Sequence, residues 1–107
     1  MHVEFYEKGC KSFFKKYNKQ KEKDNIVKSV ETAIDKEVAS GMTKVKLATR
    51  KRVNDKNIYE FRLNAGTIGS IRIAFSIFDK KTIVYFISKN LQKSTFSKDF
   101  DKIIVKL

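Results

Sequence analysis

The sequence predicts an α+β domain in its element order: a strand, two N-terminal helices packed on one face of an antiparallel sheet, a three-strand meander, and a C-terminal helix or edge strand. Three observations lead there. Apolar residues recur at three- and four-residue spacing from Cys10 to Val38. The period changes to two between Tyr59 and Ser88, and tight turn signals separate the later segments. A chain of 107 residues is large enough for one hydrophobic core and not for two, so a single domain is expected over residues 1–107. A hydrophobic fraction of 41% with no Pro points to a folded chain rather than a low-complexity one.

The elements follow in order. "HVEFYE" is short and aromatic, a first strand with Val3 and Phe5 on one face. In "GCKSFFKKYNKQ", Cys10, Phe13, Phe14 and Tyr17 form the apolar stripe of an amphipathic helix. After the polar run "NKQKEKD", Asp24 is placed to cap a second helix with Ile26, Val30, Ala33, Ile34 and Val38 on one side and Gly41 as its C-cap. The short charged link favours an antiparallel helix pair. "KVKLATRKRVNDKN" is basic and partly alternating, and strands are expected at Tyr59–Asn64, Ser70–Phe78 and Thr82–Ser88. The last segment, "TFSKDFDKIIVKL", carries Phe96, Phe100, Ile103, Ile104 and Leu107 at helical spacing behind Ser97, while the β-branched "KIIVKL" also reads as an edge strand.

Charge narrows the function. With 24 Lys plus Arg against 12 Asp plus Glu, the net charge is +12 and the pI about 9.9. Such an excess attracts polyanions through counterion release and steering, whereas a solvated Lys-rich surface is the alternative reading. One His and one Cys exclude most metal and disulfide schemes, so no metal site and no cofactor are expected and a reducing cytoplasm fits. Neither an apolar run near the ~20 residues of a membrane span nor a secretory-signal succession is present, so the domain is expected to begin almost at residue 1, away from membranes.

Strand parity sorts the meander. Tyr59, Phe61 and Leu63 share one face and Glu60, Arg62 and Asn64 the other; Ile71, Ile73, Phe75 and Ile77 oppose Ser70, Arg72, Ala74 and Ser76; Ile83, Tyr85 and Ile87 continue the apolar set. A first turn centred on Thr67 puts Arg62 opposite Arg72. A second near Lys80 puts Ser88 beside Arg72 and Phe86 beside Ala74. Directly opposed like charges cost a few tenths to ~1 kcal/mol, so an offset is required. Glu60, diagonal to Arg72, can supply it as a salt bridge; both cations can lean into water; or the pair can await an anion, two guanidinium forks on a rigid sheet making a phosphate clamp. "RKR" (Arg50, Lys51, Arg52) before the first meander strand and "SKNLQKS" (Lys89, Gln92, Lys93) after the last are expected to flank this face.

These residues resemble a known family. "IYEFRL" followed by "IRIAFSIFDKKTIVYFISKNLQKS" is similar to the RelE/ParE toxin superfamily, in which a Tyr-Glu-hydrophobic-Arg strand precedes a strand with Arg near its start and a Lys-containing tail. The phage-associated, HigB-like branch is the nearest in pattern. The resemblance covers Lys51 to Ser94. It implies the toxin of a type II toxin-antitoxin pair, acting in the cytoplasm as an endoribonuclease (an mRNA interferase) that cleaves mRNA on the ribosome without a metal and so inhibits translation. The partners implied are the mRNA and a cognate antitoxin, acidic or of helix-turn-helix type. Arg62 and Arg72 match the family's arginines, Lys51 and Arg52 its basic pair, and Lys89, Gln92 and Lys93 its tail. Ile71 stands where the family usually has Tyr, and Tyr85 where many HigB-like members have His.

Metal-free RNA cleavage needs a 2′-oxygen aligned on phosphorus, charge stabilisation of the phosphorane, and proton transfer at both oxygens. Arginines suit the second task and are too basic for the third. Glu60, Lys51, Lys89, Lys93 and Tyr85 are the candidates for proton transfer, a lysine being suited to it when crowded by other cations. The alternative function is non-catalytic: a ParE-like gyrase inhibitor, or a basic module that docks nucleic acid.

Overall fold

The computed structural model describes residues 2–53 and 55–104. The side chains of Arg50 and Lys51 lie outside the described residues, as does Leu107, which the helical reading of the C-terminal segment included. The order is β1 (His2–Phe5), α1 (Glu7–Lys16), α2 (Gln20–Ala39), β2 (Lys46–Val53), β3 (Lys56–Asn64), a 3-10 turn (Gly66–Ile68), β4 (Ser70–Phe78), β5 (Lys81–Ser88) and α3 (Lys93–Ile104). The α+β class, the two N-terminal helices and the meander are as the sequence predicts. The C-terminal alternative resolves as a helix.

Two details of the sheet differ from expectation. The basic segment "KLATRKRV" is itself a strand, β2, antiparallel to β3, so the meander runs through four strands. The sheet is also mixed: its order is β1-β5-β4-β3-β2, and β1 lies parallel to β5. Once the first strand leads into two helices and a meander follows, the last strand returns beside the first in the same direction.

The helix boundaries show where local propensity wins. α2 begins at Gln20, not after Asp24, because Gln, Lys and Glu are good helix formers; Asp24 lies inside it and accepts a hydrogen bond from Gln20 Nε2 at 2.9 Å. Ser97 is likewise inside α3, which starts at Lys93. At the far end of α2 the predicted stop holds. Gly41 adopts φ 81°, its N–H reaches Val38 O at 3.2 Å, and the Met42 N–H reaches Glu37 O at 2.7 Å, the two bonds of a Schellman motif. The buried Glu37 side chain then accepts the Lys44 N–H at 3.0 Å, tying the link to β2 back to the helix.

Two cores form, one on each face of the sheet. On the first, Cys10 and Phe13 of α1 and Ile26, Val30 and Ile34 of α2 pack on Phe61, Leu63, Ile71, Ile73, Phe75, Val84 and Ile87. On the second, Phe96, Phe100 and Ile104 of α3 pack on Ala48, Ile58, Ala74 and Tyr85. The face that parity left polar is therefore not open to water along its length: α3 covers much of it.

A β-bulge explains the one misassigned aromatic. Ala74 pairs with Phe86 but Phe75 pairs with Val84, leaving Tyr85 as the extra residue. Strict alternation placed Tyr85 with Ile87 on the α1 and α2 side. The bulge turns Tyr85 and Phe86 both toward α3, where Phe86 lies 5.2 Å from the Phe96 ring centroid and 6.0 Å from that of Phe100.

Cys10 shows how dry the first core is. Burial pushes its thiol up to about 12 from 9.0, and its Sγ donates weakly to Val84 O at 3.4 Å. The thiolate fraction at neutral pH is then lower by about a thousandfold than in the unfolded chain. A thiol reagent at pH 7 is expected to label the native protein at the rate of its opening and the denatured protein at once; rapid labelling of the native state would refute this packing. The sign for stability follows. A pKa raised in the folded state leaves the contribution intact below pH 9.0 and loses it as pH climbs toward 12. Among the described residues, no helix is long and apolar enough to cross a membrane.

Candidate functional site

The predicted register holds. Arg62 on β3 lies opposite Arg72 on β4, Arg72 lies beside Ser88, and Ala74 lies beside Phe86. The opposed cations are real, and the structure supplies the offset. Glu60, one diagonal step away, is ion-paired through Oε2 with Arg72 Nη1. Its other oxygen faces Lys93 Nζ, at the first residue of α3, at 3.8 Å.

The group is layered by depth. Glu60 is buried, with a side chain 1% accessible, that of Arg72 is 15% accessible and that of Lys93 48%. Arg62 is exposed and has no ion-pair partner among the described residues. Breaking a buried ion pair by removing one partner typically costs ~3–5 kcal/mol, because the other charge is left dry and uncompensated. The cluster is nevertheless incompletely satisfied: among the described residues, neither Glu60 Oε1 nor Arg72 Nε has a hydrogen-bond partner. Such atoms are rare in a native interior.

The remaining candidates divide. Lys89, following β5, donates through Nζ to the Ile68 carbonyl and so lies over the turn between β3 and β4. Gln92 precedes α3; its carbonyl accepts the Phe96 N–H at 2.9 Å and its side-chain oxygen the Thr95 hydroxyl at 3.3 Å, so it starts the helix beside the cations. Tyr85 is buried under α3 and, among the described residues, its hydroxyl has no well-formed hydrogen bond. Burial raises its phenol pKa, with the Ser76 hydroxyl pulling the other way. A group so placed cannot meet a substrate on the surface, and its reading as a catalytic residue is corrected accordingly.

The basic run does not gather as expected. Arg52 pairs across the hairpin with Asn57, to which its Nε donates at 3.1 Å. That is the opposite end of β3 from Arg62, roughly 17 Å away for five extended residues. Arg52 therefore does not flank the arginine pair, because β2 runs antiparallel to β3 and carries the end of the run away from it. The side chains of Arg50 and Lys51 are outside the described residues.

Sequence reasoning missed Lys46. It is the cross-strand neighbour of Glu60, exposed, and on the same face. The signal was present in the alternation of "KVKLA", but without a strand assignment there was no register to place it. Among the described residues, Lys46, Arg62, Arg72 and Lys93 thus lie about one carboxylate, and Lys89 sits further along over the turn between β3 and β4. Chemically this arrangement can hold a phosphodiester: Arg62 free, Arg72 oriented, and lysines at the rim. Compared with protein-family models, curated proteins and solved structures, the chain matches none.

Proposed function

We propose that the protein is a toxin of the RelE/ParE type, a ribosome-dependent mRNA endonuclease that works without a metal and is held in check by an antitoxin. One observation carries the reading: Arg62 and Arg72 are cross-strand neighbours at the end of the sheet where Lys89 and Lys93 also lie. The motif resemblance named those same arginines independently of any register.

In this mechanism the scissile phosphate sits across Arg62 and Arg72. The 2′-oxygen attacks phosphorus, its bond to the 5′-oxygen breaks, and the products are a 2′,3′-cyclic phosphate and a 5′-hydroxyl. The anchored Arg72 guanidinium and the free Arg62 stabilise the phosphorane charge, a well-placed donor contributing roughly 10²–10³ in rate. Of the described proton-transfer candidates, Lys93 has the access for the work; Glu60 and Tyr85 are buried and Lys89 is held on a carbonyl.

That same shortage favours the second reading, a non-catalytic binder of nucleic acid or gyrase. Induced expression separates them. Growth arrest is expected together with mRNA ends that map within translated codons; Arg72→Ala should remove both, and Tyr85→Phe neither. Toxicity that persists in a folded Arg72→Ala protein would end the clamp reading, and arrest with intact mRNA would establish the binder.

A further inference from the structure

Glu60 presents a paradox for a phosphate site, since a carboxylate there repels the ligand. We infer that Glu60 is a positioning residue that holds the Arg72 fork in place for RNA; this rests on the RNA reading of the face. With its side chain 1% accessible, Glu60 cannot touch a substrate. One of its oxygens engages a cation from β4 and the other faces a cation from α3. Arg72 stands directly opposite Arg62, and two like charges at that spacing drive each other apart. A lone arginine would swing away into water. Anchored at one corner by Glu60, the guanidinium stays on the sheet; its Nε is buried, and the 15% of the side chain that is still accessible is what an anion can meet.

Simple repulsion and positioning predict opposite signs, which makes the inference testable. Glu60→Asp keeps the charge and withdraws the carboxylate by one methylene. Binding of a single-stranded RNA oligonucleotide is measured across a salt series for the wild type, Glu60→Asp, Arg72→Ala and the double variant, with folding followed by circular dichroism. Glu60→Asp is expected to weaken binding about tenfold, and to make the slope of log affinity against log salt shallower by about 0.7, the share of one phosphate contact on a single strand. In the Arg72→Ala background the same change should have no further effect.

Should Glu60→Asp fail to fold, the isosteric Glu60→Gln carries the test. Positioning predicts several-fold weaker binding, whereas relief of repulsion predicts tighter binding. Unchanged or tighter binding by a folded Glu60 variant overturns the inference while leaving the RNA reading intact. If Arg72→Ala itself leaves affinity and slope unchanged, the RNA reading of the face fails, and the positioning role with it.

Discussion

Gly9→Ala is expected to destabilise the protein by at least ~3 kcal/mol, a large share of the ~5–15 kcal/mol that holds a domain of this kind together. Helix propensity alone argues for the opposite sign, since alanine is favoured over glycine inside a helix by about 1 kcal/mol. Space decides against propensity. A Cβ on Gly9 would overlap the Tyr85 carbonyl oxygen, with the carbonyl carbon at 2.9 Å and Ile103 Cγ2 at 3.2 Å. The first obstacle is backbone and cannot rotate away. The close approach has a cause in the sheet: β1 stops at Phe5, the Tyr6 N–H completes the ladder on Val84 O at 2.8 Å, and beyond that point α1 itself lies against β5 at the bulge. Chemical denaturation of Gly9→Ala against wild type measures the effect. A variant as stable as the parent would show that α1 does not sit on the bulge.

That glycine marks the boundary of what the sequence discloses. Alternation gave the faces of β3 and β4, and two turn centres gave the Arg62–Arg72 and Arg72–Ser88 neighbours, because side-chain parity and turn position together determine register in a hairpin. The C-cap at Gly41 was legible for a similar local reason. What failed was non-local. A bulge adds one residue that no periodicity announces, so Tyr85 was assigned to the wrong face. The parallel return of β1 beside β5 depends on topology, and α3 on the polar face depends on a second apolar patch made by Ile58, Ala74 and the misassigned Tyr85. Hence the site was half visible. Its arginines and Glu60 came from local pattern, whereas its depth, Lys46, and the separation of Arg52 required the pairing of β2 with β3.

Phe100→Ala is expected to cost ~3–5 kcal/mol and, unlike a defect in the first core, to act unevenly over the molecule. The Phe100 ring is fully buried, nearly parallel to Phe86 at 20° and to Phe96 at 23°, so truncation removes the centre of the layer between α3 and the sheet. α3 follows the last strand and docks from outside, while β3, β4 and β5 keep the whole of the other core beneath them. Amides of α3 should therefore lose hydrogen-exchange protection first, with those of β3 and β4 still protected. The site divides along the same line. Glu60 and Arg72 both belong to the sheet and stay paired, whereas Lys93 leaves with the helix. RNA affinity should then fall by less than in Arg72→Ala, and Lys93→Ala should add little in the Phe100→Ala background. Uniform loss of protection across α3 and the sheet would instead mean that the helix folds only with the whole domain. The cationic face would then be a single rigid unit rather than a sheet-borne arginine pair with a lysine brought to it by α3.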